Sequence, residues 1–242
     1  MHLKETFDQW VCSAQDRYTD RQWLLSKWEV CDGVEWPKAK VEIMVRTIRE
    51  ALRPRQDDIL ADLGCGGGWI AELLRPSVRE VVGLDFCRDM LNIASRAGRG
   101  PWVQGAIGEL PFRENSFDRV LSYFVFLNFS DDDLVFSSIR DIYRVLKPGG
   151  TALIGQLPLM NMNAAYDAAK ADYVDYCQRT MSLGPRNDNG SRVPLRSFSR
   201  ERMAEFLGQQ KIAFEFLSSF NPFYREGEPQ TVTWRFDLLV FK

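Results

Sequence analysis

From Ile59 onward, short apolar runs alternate with longer stretches in which apolar positions recur every three or four residues. The short runs are rich in Val, Ile and Leu and too brief for helices, so they read as strands; the longer ones read as amphipathic helices. The pattern predicts strand 59–63, helix 67–75, strand 80–85, helix 88–97, strands 101–104 and 118–123, helix 132–146 and strand 150–156. Such alternation predicts a mostly parallel sheet with helices on both faces. Ahead of it, mixed helical spacing over 4–30 (Phe7, Trp10, Trp23, Trp28) predicts one or two short helices. Pro37 opens a further helix through Val41, Ile43, Met44, Ile48 and Leu52, which Pro54 closes. Residues 160–198 interrupt the alternation with a helix at 164–182 and a loop rich in Gly, Pro, Asn and Arg at 184–196. A helix at 199–208 and strands at 212–218 and 231–241 complete the sheet. The expected organisation is a helical segment over 1–53 followed by one α/β domain over 54–242, with 160–198 inserted as a cap.

Composition narrows the function classes. With 45% hydrophobic and 26% charged residues the chain can bury a full core. A formal net charge of -2 gives no global positive field, and Lys and Arg are scattered among acids, which argues against nucleic acid as the main partner. Cys12, Cys31, Cys65, Cys87 and Cys177 are far apart, without the paired spacing of a zinc site or disulfide framework, so reduced thiols and no metal are expected. The first residues lack an apolar signal core, and no stretch approaches the roughly 20 apolar residues of a membrane helix. A cytoplasmic protein without membrane insertion is the expectation.

Candidate chemistry is concentrated at two strand ends. Ile59 to Leu63 runs into Gly64-Cys65-Gly66-Gly67-Gly68, just where a helix opens. Glycines allow the backbone to turn tightly and approach a ligand, and a helix start offers free N–H groups to an anion. So many glycines weaken a helix start unless something comes close to it. The second strand, Val81-Val82-Gly83-Leu84, ends in Asp85, 21 positions after Gly64. An acid at that distance, at the tip of the neighbouring strand, can accept both hydroxyls of an adenosine ribose.

These stretches resemble the class I S-adenosylmethionine-dependent methyltransferases, in particular the small-molecule group with a Rossmann-like fold. Three further segments match that family's pattern in order: Gly108-Glu109-Leu110-Pro111-Phe112 followed by Ser116-Phe117-Asp118, then Ile139 to Leu146, then Lys147-Pro148-Gly149-Gly150. The resemblance implies a seven-stranded sheet in the order 3-2-1-4-5-7-6 with the last strand antiparallel. It implies S-adenosyl-L-methionine as cofactor, with Asp62, Gly64, Cys65, Gly66 and Gly68 around the methionyl end and Asp85 on the ribose. Phe86 and Met90 would pack on the adenine, Ala106 and Ile107 would border it, and Ser122 and Tyr123 would lie near the transferable methyl. The chain departs from the pattern at Ala106, where many relatives carry an aspartate for the adenine amino group. Gly66, Gly68 and Ala71 also satisfy a GxGxxA dinucleotide pattern, so a nicotinamide-dependent dehydrogenase is an alternative, as is a catalytically silent cofactor-binding partner.

The acceptor is read as a small molecule methylated on oxygen or nitrogen. His2 is the only histidine and lies at the start of the chain, so a histidine base is not expected. Tyr123, Tyr18, Tyr166 and Tyr173 are the tyrosine candidates for a catalytic role, beside nearby carboxylates and the acceptor's own acidity. After the fourth strand stands Ser122-Tyr123-Phe124-Val125, not the Pro-Pro-aromatic run of adenine or glutamine methylation nor a magnesium-binding Asp-Asn pair. Met162, Tyr166, Ala169, Tyr173, Tyr176 and Thr180 share one side of the cap helix; this stripe either packs on the core or closes over the acceptor as a lid. The same alternatives hold for Tyr18, Trp23 and Trp28.

Overall fold

The computed structural model describes residues 38–180 and 196–242. The helices expected over 4–30, Tyr18, Trp23 and Trp28, His2, and most of the 184–196 loop lie outside the described residues. In chain order the elements are α1 (Lys38–Leu52), β1 (Ile59–Leu63), α2 (Trp69–Leu74), β2 (Glu80–Asp85), α3 (Arg88–Ala97), β3 (Trp102–Gln104), β4 (Phe117–Tyr123), α4 (Asp132–Val145), β5 (Leu146–Pro158), α5 (Asn163–Thr180), α6 (Arg200–Gln209), β6 (Ala213–Phe220) and β7 (Thr231–Phe241).

All seven strands form one sheet in the order β3-β2-β1-β4-β5-β7-β6. Strands β1 to β5 are parallel where they pair, and β7 runs antiparallel to both β5 and β6. This is the order expected from the resemblance. It disfavours the dehydrogenase alternative, whose dinucleotide sheet has the order 3-2-1-4-5-6 without an inserted antiparallel strand.

The central strands are mainly apolar because both faces are covered. Side chains alternate between two cores: Val120, Ala152, Ile154, Leu238 and Val240 face a cluster with Ile139 and Ile142 of α4 and Phe206 of α6. Leu121, Leu153 and Leu239 face the opposite cluster, with Ile43, Met44 and Ile48 of α1 and Ile70 and Leu74 of α2. Burying each such aliphatic side chain contributes on the order of 1.5–3 kcal/mol. Helix α1 thus shares a core with Leu60 of β1. The side chain of Asp131 caps α4 by accepting from Leu134 N, and Ser199 caps α6 by accepting from Arg202 N.

Two departures from expectation matter for the site. Strand β5 spans Leu146–Pro158, beyond both ends of the predicted 150–156. Its first part pairs with β4 from Leu146, and its last part pairs with β7 through Leu157 and Pro158 after a register shift beyond Ile154. Within that bulge Gln156 has φ 66°, and at the end of β4 Phe124 has φ 62°. Left-handed conformations in non-glycine residues are strained and need support from their surroundings.

The cap helix α5 lies against β7 and the β6–β7 loop. Tyr166, Ala169, Tyr173 and Tyr176 pack with Phe223 and Trp234 in a separate aromatic cluster. No described helix is long and apolar enough to cross a membrane.

Candidate functional site

The glycine turn after β1 is held by β2: Gly64 N and Cys65 N both donate to Leu84 O, at 2.7 and 3.0 Å. Gly64, Gly66 and Gly68 have φ of 77°, 52° and 80°, a conformation that side chains disfavour. At Gly64 a Cβ would stand 2.5 Å from Val125 Cγ2, and at Gly68 2.6 Å from Trp102 Cη2. Two of these glycines are therefore required by the protein's own packing as well as by any ligand. At Gly66 only Met90 Cε comes near, at 3.2 Å. Cys65 is buried beside Asp62 and Asp85, and burial with those charges pushes its thiol far up, leaving it unreactive.

Asp85, at the tip of β2, is oriented by main-chain donors. Its Oδ2 accepts from Gly66 N at 2.8 Å and its Oδ1 from Cys87 N at 2.9 Å. Each carboxylate oxygen has a further lone pair, so two directions remain for hydroxyl donors. Burial raises its pKa, and the N–H groups of Cys87, Gly66 and Phe86 oppose that rise. Asp62, near the end of β1, is 3% exposed, and its Oδ2 has no hydrogen-bond partner. Burial, reinforced by the charge of Asp85, lifts its pKa to about 7 despite the N–H of Ala71. A buried carboxylate with an unused oxygen beside a second carboxylate favours a positively charged group.

The remaining cofactor candidates border these acids. Phe86 is 38% exposed, a large apolar side chain left open directly after Asp85. Met90 is half-buried on the first turn of α3. Gly105 N donates to Asp85 O at 3.0 Å, which brings the loop carrying Ala106 and Ile107 alongside; Ala106 is exposed, and Ile107 packs partly on the core. That loop is anchored from α4. Asp141 Oδ2 accepts from Leu110 N at 2.5 Å, and Arg144 donates to Phe112 O at 2.7 Å. Asp118, in another matched segment, holds the far end of the sheet by accepting from Ile59 N at 2.9 Å and Lys147 Nζ at 2.7 Å.

The strand β4 candidates face protein groups. Ser122 is fully buried and donates to Leu63 O at 3.1 Å. Tyr123 is 4% exposed, its ring lies against Gly155, and Gln156 Nε2 reaches its hydroxyl at 3.4 Å. Burial first, and then the charge of Asp237, raise its pKa well above the ordinary phenol value, so at neutral pH the hydroxyl keeps its proton. On α5, Tyr166 and Tyr173 lie with ring centroids 5.4 and 5.7 Å from that of Phe223, and Lys40 Nζ sits 4.1 Å from the Tyr173 centroid. The cofactor candidates thus gather at the ends of β1, β2 and β3. Tyr123 and Tyr166 border a second, polar cluster, and Tyr18 lies outside the described residues.

The residues of that second cluster were not singled out from the sequence. Gln156 Nε2 donates to Ser219 Oγ at 2.7 Å and Phe220 O at 2.8 Å, and Asp237 Oδ1 accepts from Gln156 N at 2.8 Å and Ser219 Oγ at 2.6 Å. Arg235 Nη1 donates to Gln156 Oε1 at 3.1 Å. The signal was present: Arg235 and Asp237, two positions apart in the apolar later part of β7, must share one face.

A sheet of this order, with a glycine turn after β1 and an acid at the tip of β2, defines the Rossmann-like fold of the class I methyltransferases. Residues 61–154 match the family model described as a methyltransferase domain, and S-adenosyl-L-methionine is the cofactor that this match implies. Over 105 residues the chain is 37% identical to the demethylmenaquinone methyltransferase of Corynebacterium kroppenstedtii, covering 43% of this chain and 44% of that one. Over 119 residues it is 32% identical to the probable tRNA methyltransferase 9B of Homo sapiens, covering 49% and 24%. A SAM-dependent methyltransferase from Methanosarcina mazei shares the fold with a TM-score of 0.57 at 18% identity, over 80% of this chain and 94% of that one. The chain spans half or less of the length of the curated relatives it matches.

Proposed function

We propose that the chain transfers the methyl group of S-adenosylmethionine to a small-molecule oxygen or nitrogen acceptor. The observation that carries this reading is the pair of buried acids at the glycine turn: Asp85 held by Gly66 N and Cys87 N with lone pairs to spare, and Asp62 with an unpartnered oxygen. The donor set fits the cofactor. Asp85 would take the ribose hydroxyls, Asp62 would face the positively charged methionyl end, and Phe86 with Met90 would cover the adenine. Bound there, the cofactor supplies an electrophilic methyl group.

The protein's own part is alignment and exclusion of water. Gly64 and Gly66 keep the floor of the crevice free of side chains. Tyr123 holds its proton and its hydroxyl accepts from Gln156 Nε2, which leaves the acceptor's own ionisation as the source of its lone pair. The human relative's name points to tRNA, but a net charge of -2 supports a small acceptor over a polyanion. Calorimetry with S-adenosylmethionine, followed by detection of S-adenosylhomocysteine in turnover with candidate acceptors, tests the reading. Binding without turnover on any acceptor would favour a silent cofactor-binding partner, and turnover only on tRNA would replace the acceptor class.

A further inference from the structure

Arg235 on β7 is 3% exposed. Its Nη1 donates to Gln156 O at 3.3 Å and Gln156 Oε1 at 3.1 Å and its side chain is also hydrogen-bonded to Tyr166, while its Nε has no hydrogen-bond partner. Among the described residues no carboxylate forms an ion pair with it. Asp237 acts on it only at longer range, since that carboxylate is committed to Gln156 N and Ser219 Oγ. A guanidinium buried without a contact counter-ion is costly unless an anion comes to it, and its planar fork matches a carboxylate in two parallel bonds.

Its surroundings restrict the shape of such an anion. The guanidinium carbon lies 4.9 Å from the Tyr166 ring centroid and 5.5 Å from that of Trp234, and Phe223 packs on both rings. Flat aromatic walls therefore flank the charge, Tyr166 also bonding to it, with α5 above them. The position is also linked to the cofactor side. Gln156 connects Arg235 to the Tyr123 hydroxyl, and two residues beyond Tyr123 the side chain of Val125 lies against Gly64. Gln156 and Phe124, both in left-handed conformations, stand where β5 and β4 finish. Open α/β sheets bind ligands beyond the carboxyl ends of their strands, and strained residues gather at such sites.

We propose that Arg235 recognises the acceptor, and that the acceptor is a small planar acid whose carboxylate pairs with the guanidinium while its ring lies against Tyr166 and Trp234. The inference rests on the methyl-transfer reading and names its substrate class. An acid held there would sit under α5, shielded from water on the side away from the sheet.

The test uses the full chain saturated with S-adenosylhomocysteine and compares para-hydroxybenzoate with para-hydroxybenzamide by calorimetry. The acid should bind roughly tenfold to a hundredfold more tightly than the amide, as a charge-assisted pair provides. Arg235→Gln should abolish that preference and leave S-adenosylhomocysteine affinity unchanged. Arg235→Lys, which keeps the charge but loses the fork, should retain part of it. The wild-type comparison stands even if a variant fails to fold. Equal binding of acid and amide, no binding of either, or a preference that survives Arg235→Gln, would overturn the assignment. Loss of S-adenosylhomocysteine binding by the wild-type chain would instead overturn the methyl-transfer reading itself.

Discussion

The two sides of the sheet are held together over different lengths of chain. Around the glycine turn the fixing contacts are short-range in sequence: Gly66 N reaches Asp85 across 19 positions, and Cys87 N reaches it across two. Around Gln156 they span 81 positions to Asp237, 79 to Arg235 and 64 to Phe220. The glycine turn with Asp85 can be written as a local motif because one βαβ unit brings its parts together. A cluster assembled from β5, β6 and β7 can change without disturbing the motif.

That contrast predicts separable damage. The largest effect is expected at Gly64→Val, which forces a β-branched side chain into φ 77° and against Val125. It should cost about 2–5 kcal/mol of stability and abolish S-adenosylmethionine binding, as read by denaturant titration and calorimetry. On the other side, Tyr173→Ala removes a ring packed on Phe223 beneath Lys40. A loss of about 2–4 kcal/mol is expected with cofactor affinity preserved; affinity falling in step with stability would dissolve the distinction between the two sides.

Asp85→Ala should weaken cofactor binding by about 1–3 kcal/mol in a folded protein, and unchanged calorimetric affinity would remove Asp85 from the site. A smaller effect, readable by pH, falls on Asp62. Its carboxyl is half-protonated near pH 7 in the free protein, and a cationic ligand favours the carboxylate. Cofactor affinity should therefore rise between about pH 6 and about pH 8 and then level off, and Asp62→Asn should flatten the curve. The sign for stability is opposite. The unfolded chain releases this proton near 3.8, so between there and about 7 the free native state holds more protons and loses stability as the pH rises. Thermal unfolding without ligand should show that decline. The smallest effect is expected at Ser199→Ala, which removes the cap of α6: about 0.5–1 kcal/mol of stability and no change at the glycine turn.

The same difference in range governs what the sequence discloses. Strands β1, β2 and β7 and helix α3 lie where apolar periodicity predicts them, to the residue. The glycine turn and Asp85 were legible because their spacing along the chain reflects their spacing in the fold. The steric reasons for Gly64 and Gly68 were not, because Trp102 arrives from β3 and Val125 from the segment after β4. Strand β5 was underestimated at both ends, since Pro148 and two glycines read as a turn while the strand pairs with β4 from Leu146. The Gln156 bulge has no local signature; it arises from pairing with β7, about 80 residues later, and only Arg235 and Asp237 in its apolar later part hinted at it.

The place of β7 in the sheet also bears on how the protein is made. β6 joins the sheet solely through β7, yet it precedes β7 in the chain. On the ribosome, strands β1 to β5 can assemble as soon as they emerge, with the glycine turn and Asp85 in position, while one edge of β5 stands bare. β6 has nothing to pair with until β7 follows and the two dock as an antiparallel pair, β7 inward. During that interval the exposed β5 edge is a surface for mispairing and a binding site for holding chaperones. A nascent chain would thus complete its glycine turn before the Gln156 cluster, which needs β6 and β7.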